Sequence, residues 1–596
     1  MEGGHVFNML NNKNTLRICL SIEDIKLNGS LILAVTPKTL VENNNLETNI
    51  LLKPIDFLTK NDIAFVKQWS VDTVIELSQQ WKCKGGFVSE LINTIGLDLA
   101  VLLETLKVAE IVLKKIVNKY GITKIVIPNI ESASNNMLQF ESHGLQYVEL
   151  ITKTNLLKNL NVNLEIEKNK SEVIVANKNV FSPPKWKTAI RIIISYLRFM
   201  SKLKISIFSI FLYKIGFRKI PNPNLIVAAN KDNRDLLKTE KSIMLNDFLN
   251  VLNIDNIELL EFKNTLIKKV ELFFTKNNSL NKDFQYEFII KKRLLNFIMR
   301  RNDLLSSYIK VKNLFKINEI KLIVPSAIGT GIDAWASLGI KEGGGIIIST
   351  QHGSAYGNAY HPMMLFSDGR FDYFFSYSNP ITSPSYEFIL KNGNAKWLEA
   401  GSSYLYKIKA NSSSESIEVN KILYVMNLCV PFYSVNFPWE FIVDQIKVLE
   451  LLNSFGRNYK IDIKKESSGA IDETKYPNLN FINHSPSAIQ DNYDLLIAES
   501  AISTYILEAV VSKKFIAVMT AMDWEDCSRE SFLKLNKRAE CFENYDNFIL
   551  GLHNILTNPK KYLTKEKIHS KDYENTYCNP VHSSIYIDNI IKSIYI

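Results

Sequence analysis

Six cysteines in 596 residues give a disulfide framework little to work with. Cys19, Cys83, Cys429, Cys527, Cys541 and Cys578 are scattered, with no Cys-x-x-Cys pair and no metal-like spacing. A reduced, cytosolic chain accounts for them better than a secreted scaffold. Long apolar runs are missing too. None approaches the roughly 20 residues that a membrane-spanning helix needs. The opening stretch, MEGGHVFNMLNNKN, has neither a basic region nor a sustained apolar core, so no signal peptide is expected. Zinc-finger spacing, aromatic RNA-binding strands and recognition helices with clustered arginine are likewise absent, and nucleic acid is not an expected partner.

What is present reads as folded and multidomain. Hydrophobic residues make up 46% of the chain and charged residues 22%, an ordinary globular balance. The length exceeds what one compact core holds, so two to four domains are expected. The net charge is +10 and the pI is near 8.9. Charge this dilute suits anionic lipid, phosphorylated substrates or polyanionic glycans equally well.

Strand-like and helix-like segments alternate along most of the chain, which predicts an α/β class with parallel sheets. In the first unit, residues 1–180, strands are expected at Leu16–Leu20, Ser30–Val35, Lys124–Ile127 and Tyr147–Ile151, with a long helix over Leu97–Tyr120. Residues 181–220 follow. There Trp186 and the stretch from Ala189 to Phe217 combine aromatics with Arg191, Arg198, Lys202, Lys204 and Lys214 and contain no acid. Residues 186–217 read either as a basic, apolar patch on an anionic membrane surface or as a buried helix pair whose cations reach solvent. A second unit, 221–409, carries expected strands at Asn224–Ala229, Lys321–Pro325, Ile346–Thr350 and Asp372–Tyr377. The polar stretch 410–419 reads as a linker. The last unit, 420–596, has expected strands at Lys421–Met426, Tyr459–Ile463, Asp494–Ala498 and Phe515–Met519, and a helix over Trp439–Phe455.

Two clusters stand where chemistry belongs. In open α/β folds, ligands bind beyond the carboxyl ends of strands. The apolar run Ile346–Thr350 stops at Gln351-His352-Gly353-Ser354, small polar residues around one imidazole. His352 can act as a general base or as a hydrogen-bond donor that binds a phosphate; as an ordinary loop histidine it would bond a backbone carbonyl. Just upstream, Gly329-Thr330-Gly331 reads as a tight strand-to-helix turn in the same cleft, with Asp333 as a second base or an orienting carboxylate. It lacks the further glycine and the Lys-Ser/Thr of a phosphate loop.

The second cluster is Glu499-Ser500-Ala501-Ile502-Ser503-Thr504, with Glu508 about a turn inside the helix that Ser503 and Thr504 open. Helix N-terminal amides favour a diphosphate, and a carboxylate one turn on suits the hydroxyls of a ribose. The alternative is plain capping, since Ser, Thr and Glu all favour helix starts. His484, in the loop before this strand, is either a second phosphate contact or an exposed turn residue. No convincing Asp-x-Asp follows a strand, and neither a metal site nor a cofactor is expected.

With both clusters in hand, the chain resembles two-domain GT-B-type glycosyltransferases. It looks closest to transferases of bacterial surface-carbohydrate loci that carry a Gln-His-Gly segment, and is distantly similar to polyglycerophosphate transferases. The residues that carry the likeness are Ser349–Gly357 and Glu499–Ala509, within a span of roughly 320–540. The resemblance implies two facing Rossmann-like domains beside an additional N-terminal α/β region. It implies a metal-independent transfer of a sugar from a nucleotide-activated donor to a cell-surface polysaccharide or lipid-linked glycan. His352, with Asp333, would be catalytic. Gln351, Gly353, Ser354, His484, Glu499, Ser500, Ser503, Thr504 and Glu508 would face the donor. The work would be done in the cytoplasm or at the inner face of the membrane. Two other functions fit the same cleft: alditol-phosphate transfer from a CDP-linked donor, and a non-catalytic membrane-peripheral assembly protein. An epimerase acting on a nucleotide sugar fits less well, because it needs no membrane patch. One departure is notable, because no basic residue stands out to neutralise a leaving diphosphate.

Overall fold

A computed structural model describes residues 14–20, 30–42, 51–82, 94–129, 144–170, 226–228, 242–244, 249, 256–276, 285–318, 322–324, 331–351, 353, 360, 362–366, 370–412, 418–427, 438–464, 470–482, 493–520 and 528–581. The basic, apolar segment 186–217 and residues His352, Ser354 and His484 lie outside the described residues.

Three parallel sheets are built in succession along the chain. The first contains β1 (Thr15–Cys19), β2 (Leu31–Ala34), β3 (Leu51–Leu52), β4 (Lys124–Asn129) and β5 (Asn163–Lys170), in the order β3-β2-β1-β4-β5. The second contains β6 (Ile226–Ala228), β7 (Ser242–Met244), β8 (Leu322–Val324), β9 (Ile346–Thr350), β10 (Tyr373–Ser376) and β11 (Lys396–Glu399), ordered β11-β10-β9-β8-β6-β7. The third contains β12 (Lys421–Val425), β13 (Lys460–Lys464), β14 (Asn480–Phe481), β15 (Leu495–Ala498), β16 (Phe515–Met519) and β17 (Glu540–Phe542), ordered β14-β13-β12-β15-β16-β17.

The expected α/β class with Rossmann-like units is what the structure shows. Numbered within its own unit, the third sheet runs 3-2-1-4-5-6, the doubly wound order of dinucleotide-binding folds. Its central strands explain themselves: β15 (LLIA) and β16 (FIAVM) are buried at every position, as strands covered by helices on both faces must be. Helix Ile442–Phe455 packs on one face and helix Thr504–Val511 on the other, each with its own apolar core. That change of side occurs between β12 and β15. In such a sheet, the crevice at the carboxyl ends of those two strands is where a ligand goes.

One expected strand is a helix. Tyr147–Ile151 lies inside the helix Leu145–Lys153. The run of Tyr, Val and Ile resembles a strand, but Tyr147, Leu150 and Ile151 are the buried positions, a spacing of three and four that only a helix puts on one face. Between them Glu149 points outward and takes a two-pronged bond from Arg293 (3.0 Å to each oxygen), which ties the first unit to the second.

The first unit also touches the third. Burial pushes the phenol of its Tyr147 well above its ordinary range, and the charge of Glu440 in the third unit adds to the shift. The second and third units are stitched together by segments that leave one and pack on the other. Helix Ser403–Asn411, which follows β11 and runs into the expected linker, buries Leu405 and Ile408 in the core under helix Thr504–Val511. In return, the stretch 574–579 comes back to the second unit. The Ser402 amide donates to the Asn579 carbonyl (2.9 Å), and the Asn579 side-chain amide donates to Glu399 (2.9 Å). Gly401 makes this approach possible. It adopts φ +74°, and a Cβ there would stand 2.9 Å from the Asn579 carbonyl oxygen and nearer still to Val581.

Candidate active site at two strand ends

The first wall of the site begins where β9 stops. The Gln351 backbone amide donates to the Phe375 carbonyl (2.8 Å), continuing the β9–β10 ladder by one residue. Its side chain, 4% exposed, then bridges two loops. Oε1 accepts from the Tyr377 amide (2.9 Å) and Nε2 donates to the Gly353 carbonyl (2.7 Å). A glutamine suits this because its amide carries an acceptor and a donor on one side chain. Gln351 thereby ties the Gly353 backbone to the chain that leaves β10. Asp333 lies one strand over, at the second position of helix Ile332–Glu342 after β8. Its carboxyl is half-buried, and burial raises its pKa.

The second wall belongs to the third sheet. Register pairs Val425 with Lys464 on one side and with Ala498 on the other, so β13, β12 and β15 end in one row. Past that row, Glu499 is 1% exposed and turned into the protein. The Tyr424 hydroxyl donates to Oε1. The Asn427 amide (2.7 Å) and Gln445 Nε2 (2.6 Å) donate to Oε2. Burial raises its pKa to about 7, against the opposing pull of those donors. Glu499 thus ties together the exits of β12 and β15 and the helix between β12 and β13. Ser500 shapes the next turn: its hydroxyl accepts from the Ile502 amide (3.3 Å) and its carbonyl from the Ser503 amide (3.3 Å).

Ser503 stands at the N-cap with extended backbone (φ −68°, ψ 134°), yet its side chain makes no capping bond. Capping therefore does not account for this hydroxyl. Thr504 opens the helix Thr504–Val511, in which the Ile506 amide already donates to the Ser503 carbonyl (3.0 Å). Glu508 is 6% exposed and accepts from the Tyr404 hydroxyl at 2.8 Å. Burial raises its pKa to about 7, while Tyr404 and the charge of Lys464 pull it down.

The two walls meet. A Cβ placed on Gly353 would lie 3.1 Å from Thr504 Oγ1. The backbone beyond β9 thus touches the first residue of the helix beyond β15. Gly353 and Thr504 stand in separate sequence clusters, 151 positions apart, and only folding brings them together. Other members of this neighbourhood carried no signal in the sequence. Tyr404 comes from a helix counted with the other unit. Tyr424, Asn427 and Gln445 look like ordinary strand, loop and helix residues. Lys464 ends the strand KIDIK, a visible position whose neighbours depend on strand order. Its Nζ donates to the Tyr505 hydroxyl (2.7 Å) and lies 5.0 Å from that ring's centroid.

Among the described residues, no group of three or more His, Cys, Asp or Glu is arranged to hold a metal ion. Among them, too, no helix is long and apolar enough to cross a membrane, and Cys19, Cys541 and Cys578 form no disulfide.

No protein-family model matches the chain, and no curated protein does. Solved structures similar to it include the wall teichoic acid polymerase TagF, at 15% identity and a TM-score of 0.31 over 50% of this chain and 76% of that one. UDP-GlcNAc 2-epimerase from Neisseria meningitidis, bound to UDP-GlcNAc, is similar at 13% identity and 0.34, over 55% and 97%. The epimerase from Methanocaldococcus jannaschii is similar at 11% identity and 0.31, over 49% and 82%. Likeness at this level carries no argument, and the fold is read from strand order.

Proposed function

We propose that the chain is a glycosyltransferase that uses a nucleotide-activated sugar and needs no metal ion. Its acceptor is a cell-surface polysaccharide or a lipid-linked glycan. One observation carries the reading: Gly353, beside His352, meets Thr504 at the carboxyl ends of two Rossmann-like sheets. A ligand at that junction has the start of helix Thr504–Val511 on one side and, on the other, the backbone at Gly353, the residue that follows His352 in the sequence.

In this reading the donor's diphosphate lies against the start of helix Thr504–Val511, and its ribose faces Glu508. The acceptor hydroxyl gives its proton to His352 as its oxygen bonds to the anomeric carbon. The bond from that carbon to the diphosphate oxygen breaks, and the nucleotide leaves with the electron pair. Helix-start amides stabilise the leaving charge, and the junction holds donor and acceptor in line. Asp333, at the neighbouring strand end, orients the acceptor. Gln351 and Glu499 hold the two turns in place without needing to touch substrate.

The test is a thermal-shift and turnover screen against nucleotide sugars and CDP-alditols. One nucleotide class should raise the melting temperature and be released on adding acceptor, and His352→Ala should abolish release without unfolding the protein. Release from a CDP-alditol in place of a sugar donor would move the assignment to alditol-phosphate transfer. No shift and no release with any donor would leave a non-catalytic protein.

A further inference from the structure

We infer that Lys464 is the cation that meets the anionic group of the ligand in the third unit. It supplies the basic residue whose absence from the sequence motifs left a leaving phosphate without a counter-charge. The inference rests on the nucleotide-donor reading above and names a residue that reading does not use. In a doubly wound sheet, the carboxyl end of the second strand stands beside the bound ligand. In dinucleotide-binding sheets a carboxylate there takes ribose hydroxyls, or a basic residue a ribose phosphate; a lysine in that place sets a positive charge beside the crevice. The second strand of this unit is β13, and it ends in Lys464. Register puts Lys464 in one row with Val425 and Ala498, two strand spacings (roughly 10 Å) from the end of β15.

Two contacts, and the engagement elsewhere of the nearest acid on its strand, make it more than a surface lysine. The Tyr505 hydroxyl, from the first turn of helix Thr504–Val511, holds Nζ at 2.7 Å, so ammonium and helix start converge on one region. The Tyr505 ring supports the same ammonium at 5.0 Å. The acid two residues back on the same face is already engaged, since Asp462 accepts from Tyr493 (2.8 Å) and Asn480 (2.8 Å) and lies 3.9 Å from Lys421. Among the described residues, no carboxylate stands within ion-pairing distance of Lys464. Glu508 feels its charge without touching it. Among the described residues, this half-buried ammonium is met by a neutral phenol and by no ion-paired carboxylate, and it is set to receive an anion.

The experiment measures binding of UDP, CDP, UMP and CMP, and of uncharged uridine and cytidine, to the wild-type chain and to K464Q and K464R. K464Q should weaken nucleotide binding by ~10- to 100-fold, the value of one charge-assisted contact, and should flatten its salt dependence. Nucleoside binding should not change, and K464R should recover most of the loss. If the wild type binds none of the nucleotides, the donor reading falls and this inference with it. If the wild type binds them and K464Q binds them as tightly, with the same salt dependence, the inference alone is overturned. Should K464Q fail to fold, Tyr505→Phe removes the hydroxyl that holds Nζ. It must then alter nucleotide affinity but not nucleoside affinity, and equal affinities would overturn the inference.

Discussion

Glu499→Gln offers the sharpest test of how the second wall is held. The native protein keeps Glu499 protonated up to about pH 7, whereas an ordinary glutamate ionises near 4.5. Between those values the folded state binds a proton that the unfolded state has released, so stability falls as pH rises through the window. Each pH unit of separation is worth about 1.4 kcal/mol, which makes the loss about 3 kcal/mol once pH passes 7. Gln cannot ionise, so the variant escapes this loss whatever fixed cost its amide brings against the donors of Tyr424, Asn427 and Gln445. Glu508, also raised to about 7 by burial, titrates in both proteins and cancels in the comparison. The assay is urea unfolding of both proteins from about pH 5 to about pH 8, with hydrogen exchange of β12 and β15 assigning the transition to the third unit. The stability of the variant relative to wild type should move in the variant's favour by about 3 kcal/mol across that range. A difference that stays constant, or moves the other way, would refute the claim that Glu499 is a buried, proton-retaining strut.

Two further predictions concern the junction and the helix that forms it. Gly353→Val extends a side chain from a Cβ position already 3.1 Å from Thr504 Oγ1. It should cut nucleotide release at least ~10-fold while leaving the melting temperature within about 5 °C of wild type, and unchanged turnover would remove this contact from the site. Arg538 is 1% exposed, and its Nη2 donates to the carbonyls of Ala509 (3.1 Å) and Lys514 (2.8 Å), at the far end of helix Thr504–Val511. Arg538→Met should destabilise the third unit by about 2–4 kcal/mol and speed exchange in that helix, and exchange rates like those of wild type would show that the guanidinium is dispensable there.

Much of the architecture is legible in the chain because parallel strands buried on both faces leave an unmistakable trace. Leu495–Ala498 and Phe515–Met519 are continuous apolar runs, and helices of matching length separate them from the next strand. The short edge strands β3, β7, β14 and β17 leave no such trace, because two or three residues carry too little pattern to distinguish from loop. Tyr147–Ile151 misleads for a related reason: its β-branched and aromatic content speaks for a strand, and only burial against its neighbours selects the three-and-four spacing of a helix.

The site divides in the same way. The α/β class and the residue types at two strand ends are legible in the chain, because strand-to-loop transitions and helix starts are local events. Which strand ends lie side by side is not local. The 3-2-1-4-5-6 order sets Asn427 beside the turn at Glu499 and Lys464 one strand further along the same row, and docking of the two units sets Gly353 against Thr504. The inward turn of Glu499, read from the chain as a ligand contact, follows from three donors that come from three other segments. Those pairings depend on burial and on long-range packing, which no window of neighbouring residues contains.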